Sequence, residues 1–255
     1  MATDSMVALT ATDGHTFSAY RADPADTPKG AIIVLQGIAC SDGKVSRIAD
    51  TFAANGYLAI APVLSEPPAV TGEADAEGAA EKAAQEAAAQ LLGEIQSTVD
   101  SVKSCGKVAI VGYGAGGGLA YAAANRISGL ACAVSYYGTG IVNNYFEKRK
   151  IPVLMHFGEA DPLVPFEDVN QFRANRPEVS AFSYPGAAHD FDADGSESYD
   201  DSSAKLALER TMTWLSQYVV GQPRITMKNG GAYALAKVDK KKKKAADSDM
   251  GPPAD

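Results

Sequence analysis

Lys107-Val108-Ala109-Ile110-Val111-Gly112-Tyr113-Gly114-Ala115-Gly116-Gly117 is the stretch on which the fold turns. The apolar run at its start reads as a buried parallel strand, and Leu119-Ala120-Tyr121-Ala122-Ala123-Ala124 beyond the glycines reads as a helix. Between them the chain must turn sharply, and Gly112 and Gly116 let backbone atoms crowd there. A frame of Gly-x-nucleophile-x-Gly at a strand-to-helix turn exposes the middle side chain to a substrate. Here the middle residue is Gly114, which has no atom that can attack a carbonyl.

Two later stretches complete a constellation. Strand Pro152-Val153-Leu154-Met155-His156-Phe157 runs into a turn carrying Asp161, and strand Ser180-Ala181-Phe182-Ser183-Tyr184 runs into Pro185-Gly186-Ala187-Ala188-His189. Nucleophile position, then acid, then histidine is the chain order used by the α/β-hydrolase triad. Turn chemistry alone explains an aspartate before Pro162, and a loop histidine can simply be solvated. Their joint placement at two strand ends favours the triad-derived reading. Gly112, Gly114 and Gly117 also satisfy Gly-x-Gly-x-x-Gly, but the next strand ends in Ser135-Tyr136-Tyr137-Gly138, without the acidic residue that would hold a ribose.

Together these stretches resemble the dienelactone hydrolase family, α/β-hydrolases that open lactones and other small esters with a Cys-His-Asp triad. The likeness extends through Val34-Leu35-Gln36, Gly56-Tyr57-Leu58-Ala59-Ile60-Ala61-Pro62, Tyr136-Tyr137-Gly138 and Glu209-Arg210-Thr211, over roughly residues 5 to 220. It implies an α/β-hydrolase fold with Asp161 as triad acid, His189 as base, and the N–H groups of Ile38 and Ala115 as oxyanion hole. It also places the family cysteine on Gly114 and the glutamate that contacts the resting thiol on Gly37. Of two substrate-binding arginines, one falls on Ala193, and no arginine occurs between Arg47 and Arg126. Because these departures converge, Gly114 reads as the native residue of a site that has drifted as a whole. Glycine also relaxes the strained backbone of such an elbow, which costs of order 1–3 kcal/mol for a residue with a Cβ.

Other nucleophiles are weaker candidates. Cys40, two residues after Ile38, can face the same cleft and is the alternative thiol, though a small apolar loop cysteine is the plainer reading. Ser41 and Ser65 follow strand ends, Cys105 precedes a strand, and Cys132 sits inside one. His15 reads as a turn residue and His156 as a hydrogen-bonded strand histidine near the core. Neither has acidic or cysteine neighbours at ligand spacing, so no metal and no cofactor is expected.

The chain has 255 residues, 46% of them apolar, enough to bury the core of one α/β unit over residues 1–220. Strands are expected near 7–11, 16–21, 31–36, 58–61, 107–112, 130–136, 152–157 and 179–184, mostly parallel, with helices on both faces. Residues 72–103 form the longest helical stretch, with Gly78 and Gly93 as candidate breaks, and suit either a cap over the cleft or an exposed scaffold helix. From residue 221 the composition changes to a small hairpin on Asn229-Gly230 and a lysine run, Lys240–Lys244, a solvated tail or a contact for an anionic surface. A net charge of −8 argues against nucleic acid as a partner. Neither a signal peptide nor a transmembrane segment is evident, and three cysteines without a framework suit a reducing, cytoplasmic location.

Asp190, Asp192, Asp194 and Glu197 lie around His189 in sequence where the family places an arginine; lining the cleft they favour a neutral or cationic small ester or lactone over an anionic one, and the alternative reading is a solvated loop. Two functional readings stay open. One is a weak or rerouted hydrolase using Asp161 and His189; the other is a non-catalytic family member that binds a small molecule or a partner.

Overall fold

The structure is a computed structural model and describes residues 4–36, 43–65, 76–141 and 150–221. Eight strands occur where the apolar runs place them: β1 (Asp4–Thr10), β2 (Thr16–Ala22), β3 (Ala31–Leu35), β4 (Leu58–Pro62), β5 (Val108–Tyr113), β6 (Leu130–Tyr136), β7 (Val153–Gly158) and β8 (Ser180–Tyr184). They form one sheet in the order β1-β2-β4-β3-β5-β6-β7-β8. β2 is antiparallel to both β1 and β4, and every pairing from β4 through β8 is parallel.

Strands β3 and β5 are buried along their whole length, as parallel strands covered on both faces must be. Their side chains alternate between two cores. Ile33, Leu35, Val108 and Ile110 face one, packed by α2 (Ala76–Val102), α3 (Ala115–Arg126) and α4 (Phe166–Asn175). Ile32, Val34, Ala109 and Val111 face the other, packed by α1 (Lys44–Ala54) and α5 (Asp201–Leu215). This is the expected α/β-hydrolase fold, and it brings the ends of β5, β7 and β8 to one edge of the sheet, where open α/β sheets bind ligands.

The long helix differs from both expectations. Helix α2 runs unbroken through Gly78 and Gly93, and Leu91, Ile95, Val99 and Val102 bury one face in the core. It is a sheet-packing crossover whose apolar stripe at helical spacing offsets the weak propensity of the glycine.

His15 is a turn residue with a larger part than its neighbours suggest. Its Nε2 lies 2.9 Å from Oε1 of the fully buried Glu94, and its Nδ1 lies 2.6 Å from Asp13. Ser65, just beyond β4, gives Glu94 both its N–H, at 2.9 Å, and its hydroxyl. The serine hydroxyl is thus spent on holding a buried carboxylate and ties α2 to the end of β4, while His15 ties it to the β1–β2 turn. Glu94→Ala orphans these donors together and is expected to cost about 3–5 kcal/mol, read by denaturant unfolding. Hydrogen bonds that the protonated ring donates to Asp13 and then Glu94 raise the His15 pKa above its usual 6.5. The stability this adds is complete below the unfolded value and fades as pH climbs through the raised folded value. The native chain is therefore expected to lose melting temperature on the alkaline side of pH 6.5 more steeply than His15→Gln does.

His156 is a core histidine, as expected. It is fully buried, with Nδ1 2.7 Å from the Tyr184 hydroxyl and Nε2 3.0 Å from Thr211 Oγ1. Burial lowers its pKa to about 3, so the ring stays neutral in water near pH 7. The hairpin and lysine run expected beyond residue 221 lie outside the described residues. Among the described residues no helix is long and apolar enough to cross a membrane.

Candidate active site

The elbow keeps its geometry without its side chain. Gly114, between β5 and α3, has φ 55° and ψ −120°, a region that L side chains rarely adopt. Its flanking glycines are sterically required. A Cβ on Gly112 would lie 2.0 Å from the Gly116 carbonyl oxygen, and one on Gly116 would lie 2.4 Å from that of Leu35. The Gly114 carbonyl is held by the N–H groups of Gly117 at 2.9 Å, Thr139 at 3.1 Å and Gly118 at 3.2 Å, so the turn is fixed from three directions.

Asp161 and His189 reach this turn because their two loops are stitched together. Gly158, at the end of β7, has no Cβ to strike the Ala187 carbonyl, which would be 2.4 Å away. Glu159 N–H then donates to the Tyr184 carbonyl at 3.1 Å, and Ala160 N–H to that of Ala187 at 2.9 Å. Asp161 is buried; its Oδ1 accepts from the N–H groups of Leu163 at 2.8 Å and Val164 at 3.2 Å. Its Oδ2 lies 2.8 Å from His189 Nδ1. That contact sets Nδ1 as the protonated nitrogen and leaves the Nε2 lone pair free as a base.

Nε2 faces Gly114. It lies 3.6 Å from where a Cβ on Gly114 would stand. The N–H of Ala115 begins α3, where backbone donors point outward unpaired, as an oxyanion site needs. Gly37, Ile38, Cys40 and Ser41 lie outside the described residues. Cys132 is buried in β6, and burial pushes its thiol up to about 12, which leaves it inert.

The structure adds three residues to which the sequence assigned no role. Tyr137 takes an unusual φ of 37° and stands with its ring 4.7 Å from that of His189. Its hydroxyl donates to Asp192 at 2.8 Å. Burial pushes the Asp192 carboxyl up to about 6. Lys44 and Arg47 of α1, together with Gln36, Tyr137, Ala193 and the acids Asp192 and Asp194, line a cavity of about 280 Å³. The lining around Ala193 is therefore acidic, but the cations Lys44 and Arg47 border the same cavity. Among the described residues no group of His, Cys, Asp and Glu could hold a metal ion.

Sequence and fold comparisons converge on one family. The dienelactone hydrolase family model matches residues 17–219. A carboxymethylenebutenolidase of Pseudomonas putida is 29% identical over 226 residues, covering 82% of this chain and 95% of its own. A crystal structure from Klebsiella pneumoniae subsp. pneumoniae, assigned as a dienelactone hydrolase, superposes with a TM-score of 0.69 at 26% identity, covering 84% of this chain and all (100%) of its own. A thermophilic esterase of Thermogutta terrifontis shares the fold alone, with a TM-score of 0.66 at 17% identity over 87% of this chain and 95% of its own. The elbow, the acid loop and the histidine loop thus sit on a scaffold shared along nearly the whole described chain, which belongs to the dienelactone hydrolase family.

Proposed function

We propose that the chain is a hydrolase of small esters or lactones that has lost covalent catalysis and works, slowly, through water. One observation carries this reading: His189 Nε2, held through Nδ1 by Asp161 at 2.8 Å, faces at 3.6 Å the space that a nucleophile on Gly114 would fill. A water in that space can give its proton to Nε2 as it attacks the carbonyl, while the Ala115 N–H receives the developing oxyanion. Asp161 stabilises the imidazolium that forms. General-base catalysis of this kind is worth about 10²–10⁴, so the enzyme is slow beside a triad hydrolase. The ester or lactone class follows from the family, and the acidic wall favours a ligand without net negative charge.

The second reading is a family member that binds without turnover, and Gly114 itself favours it. Product formation from p-nitrophenyl acetate, in direct proportion to added protein and absent after denaturation, is the result the hydrolase reading expects. Rates equal to the denatured control would leave the binding reading standing.

A further inference from the structure

Lys44 and Arg47, three residues apart on α1, share a helix face and line the cavity of about 280 Å³ that reaches Tyr137 beside His189. Asp192 and Asp194 line the same cavity. Among the described residues no ion pair joins Lys44 or Arg47 to either acid. Opposite charges thus border one space without cancelling in direct contact. A purely anionic ligand gains at Lys44 and Arg47 and is repelled by the acids, and a purely cationic one meets the reverse. A ligand with separated charges of both signs gains at both. Asp192 accepts from the Tyr137 hydroxyl at 2.8 Å and from its own backbone N–H, feels the charge of Lys44, and as a carboxylate can accept further donors. Its pKa of about 6 leaves it ionised at pH 7.5.

A second cavity, of about 210 Å³, adjoins the first and shares Ile48, Thr51, Asp192 and Asp194 with it. Its character is aromatic. Tyr113 and Tyr136, stacked with centroids 4.7 Å apart and planes inclined by 23°, line it together with Phe52 but are buried, and Tyr199 and Leu208 are its more exposed lining. The cation at this end, Lys205, is paired with Asp201 at 2.8 Å. Each lobe alone is smaller than an ordinary ligand site of about 300–1,000 Å³, and the two together fall within that range.

We propose that this two-lobed groove binds a small zwitterion bearing an aromatic ring, the chemistry of a free aromatic α-amino acid. Its carboxylate lies toward Lys44 and Arg47, its ammonium toward Asp192 and Asp194, and its ring in the second lobe beside the exposed Tyr199 and the half-buried Leu208. Such a ligand is neutral overall, which agrees with the charge preference proposed above. The inference deepens the reading of the cleft but concerns binding alone, so it is tested without turnover.

Isothermal titration of the full chain at pH 7.5 with phenylalanine, 3-phenylpropanoate (no ammonium) and 2-phenylethylamine (no carboxylate) separates the contributions. Phenylalanine is expected to bind at least about tenfold more tightly than either analogue. Arg47→Gln is expected to remove its advantage over phenylethylamine, and Asp194→Asn to reduce its advantage over phenylpropanoate. Both changes are at exposed positions, where folding is spared. Equal binding of phenylpropanoate and phenylalanine, or no binding of phenylalanine at millimolar concentration, overturns the proposal. Ester turnover without phenylalanine binding overturns this inference and leaves the hydrolase reading intact; binding without turnover does the opposite.

Discussion

Gly114→Cys is expected to raise the turnover of p-nitrophenyl acetate by about 10² or more, and to do so at a cost in stability. The gain follows from what surrounds the position. Among the described residues a Cβ built on Gly114 meets only His189 Nε2 at 3.6 Å and Tyr137 Cε2 at 3.9 Å, which is ordinary contact distance, so these neighbours leave room for the thiol and put a base beside it. Removing the nucleophile from a triad hydrolase costs about a millionfold, and restoring one to a site with its acid, base and elbow in place recovers part of that. The cost follows from the backbone. At φ 55° and ψ −120° a residue with a Cβ is strained by about 1–3 kcal/mol, so the variant should unfold at lower denaturant than the native chain. Steady-state rates and an unfolding curve check both halves. A stable variant with no added activity would mean that the base does not engage the thiol.

His189→Ala in the native chain is expected to lower ester turnover by about 10²–10⁴, to the level set by substrate binding and the oxyanion site. The ring is partly exposed, its Nδ1 partner Asp161 is buried, and its Nε2 faces Gly114. Deleting the imidazole therefore removes the base while the two Asp161 contacts to Leu163 and Val164 hold the acid loop in shape. His189→Gln keeps bulk without an equivalent base and should be as slow. Near-native rates in both variants would place the chemistry elsewhere in the cleft.

These expectations rest on features of unequal legibility. The central strands were visible because each is an apolar run bounded by glycine, proline or polar turns, as burial on both faces demands, whereas β1, β2 and β8 are partly exposed and carry a weaker signal. Asp161 and His189 were visible because the chain order of a strand-end site survives in one dimension. Helix α2 was only half legible: glycines at 78 and 93 suggested breaks, yet the stripe from Leu91 to Val102 buries against the sheet and overrides them. The groove was not legible. Lys44 and Arg47 look like an ordinary solvated helix face, and only tertiary packing sets them around one cavity with Asp192 and Asp194. The link between His15 and Glu94 spans 79 residues, beyond any local pattern. Tyr137 stood in a stretch quoted for likeness alone, and its positive φ, which turns the chain beside His189, has no composition signal.

Whether catalysis runs through water or through a side chain is decided most directly by trapping. The native chain would be mixed with p-nitrophenyl acetate, quenched in acid during turnover, and its intact mass measured beside that of Gly114→Cys. Product from the native chain with no acetyl adduct, together with an adduct at position 114 of the variant, is the predicted result. An adduct on Cys40 of the native chain, accumulating and decaying with product, would contradict the account and hand the chemistry to a different nucleophile.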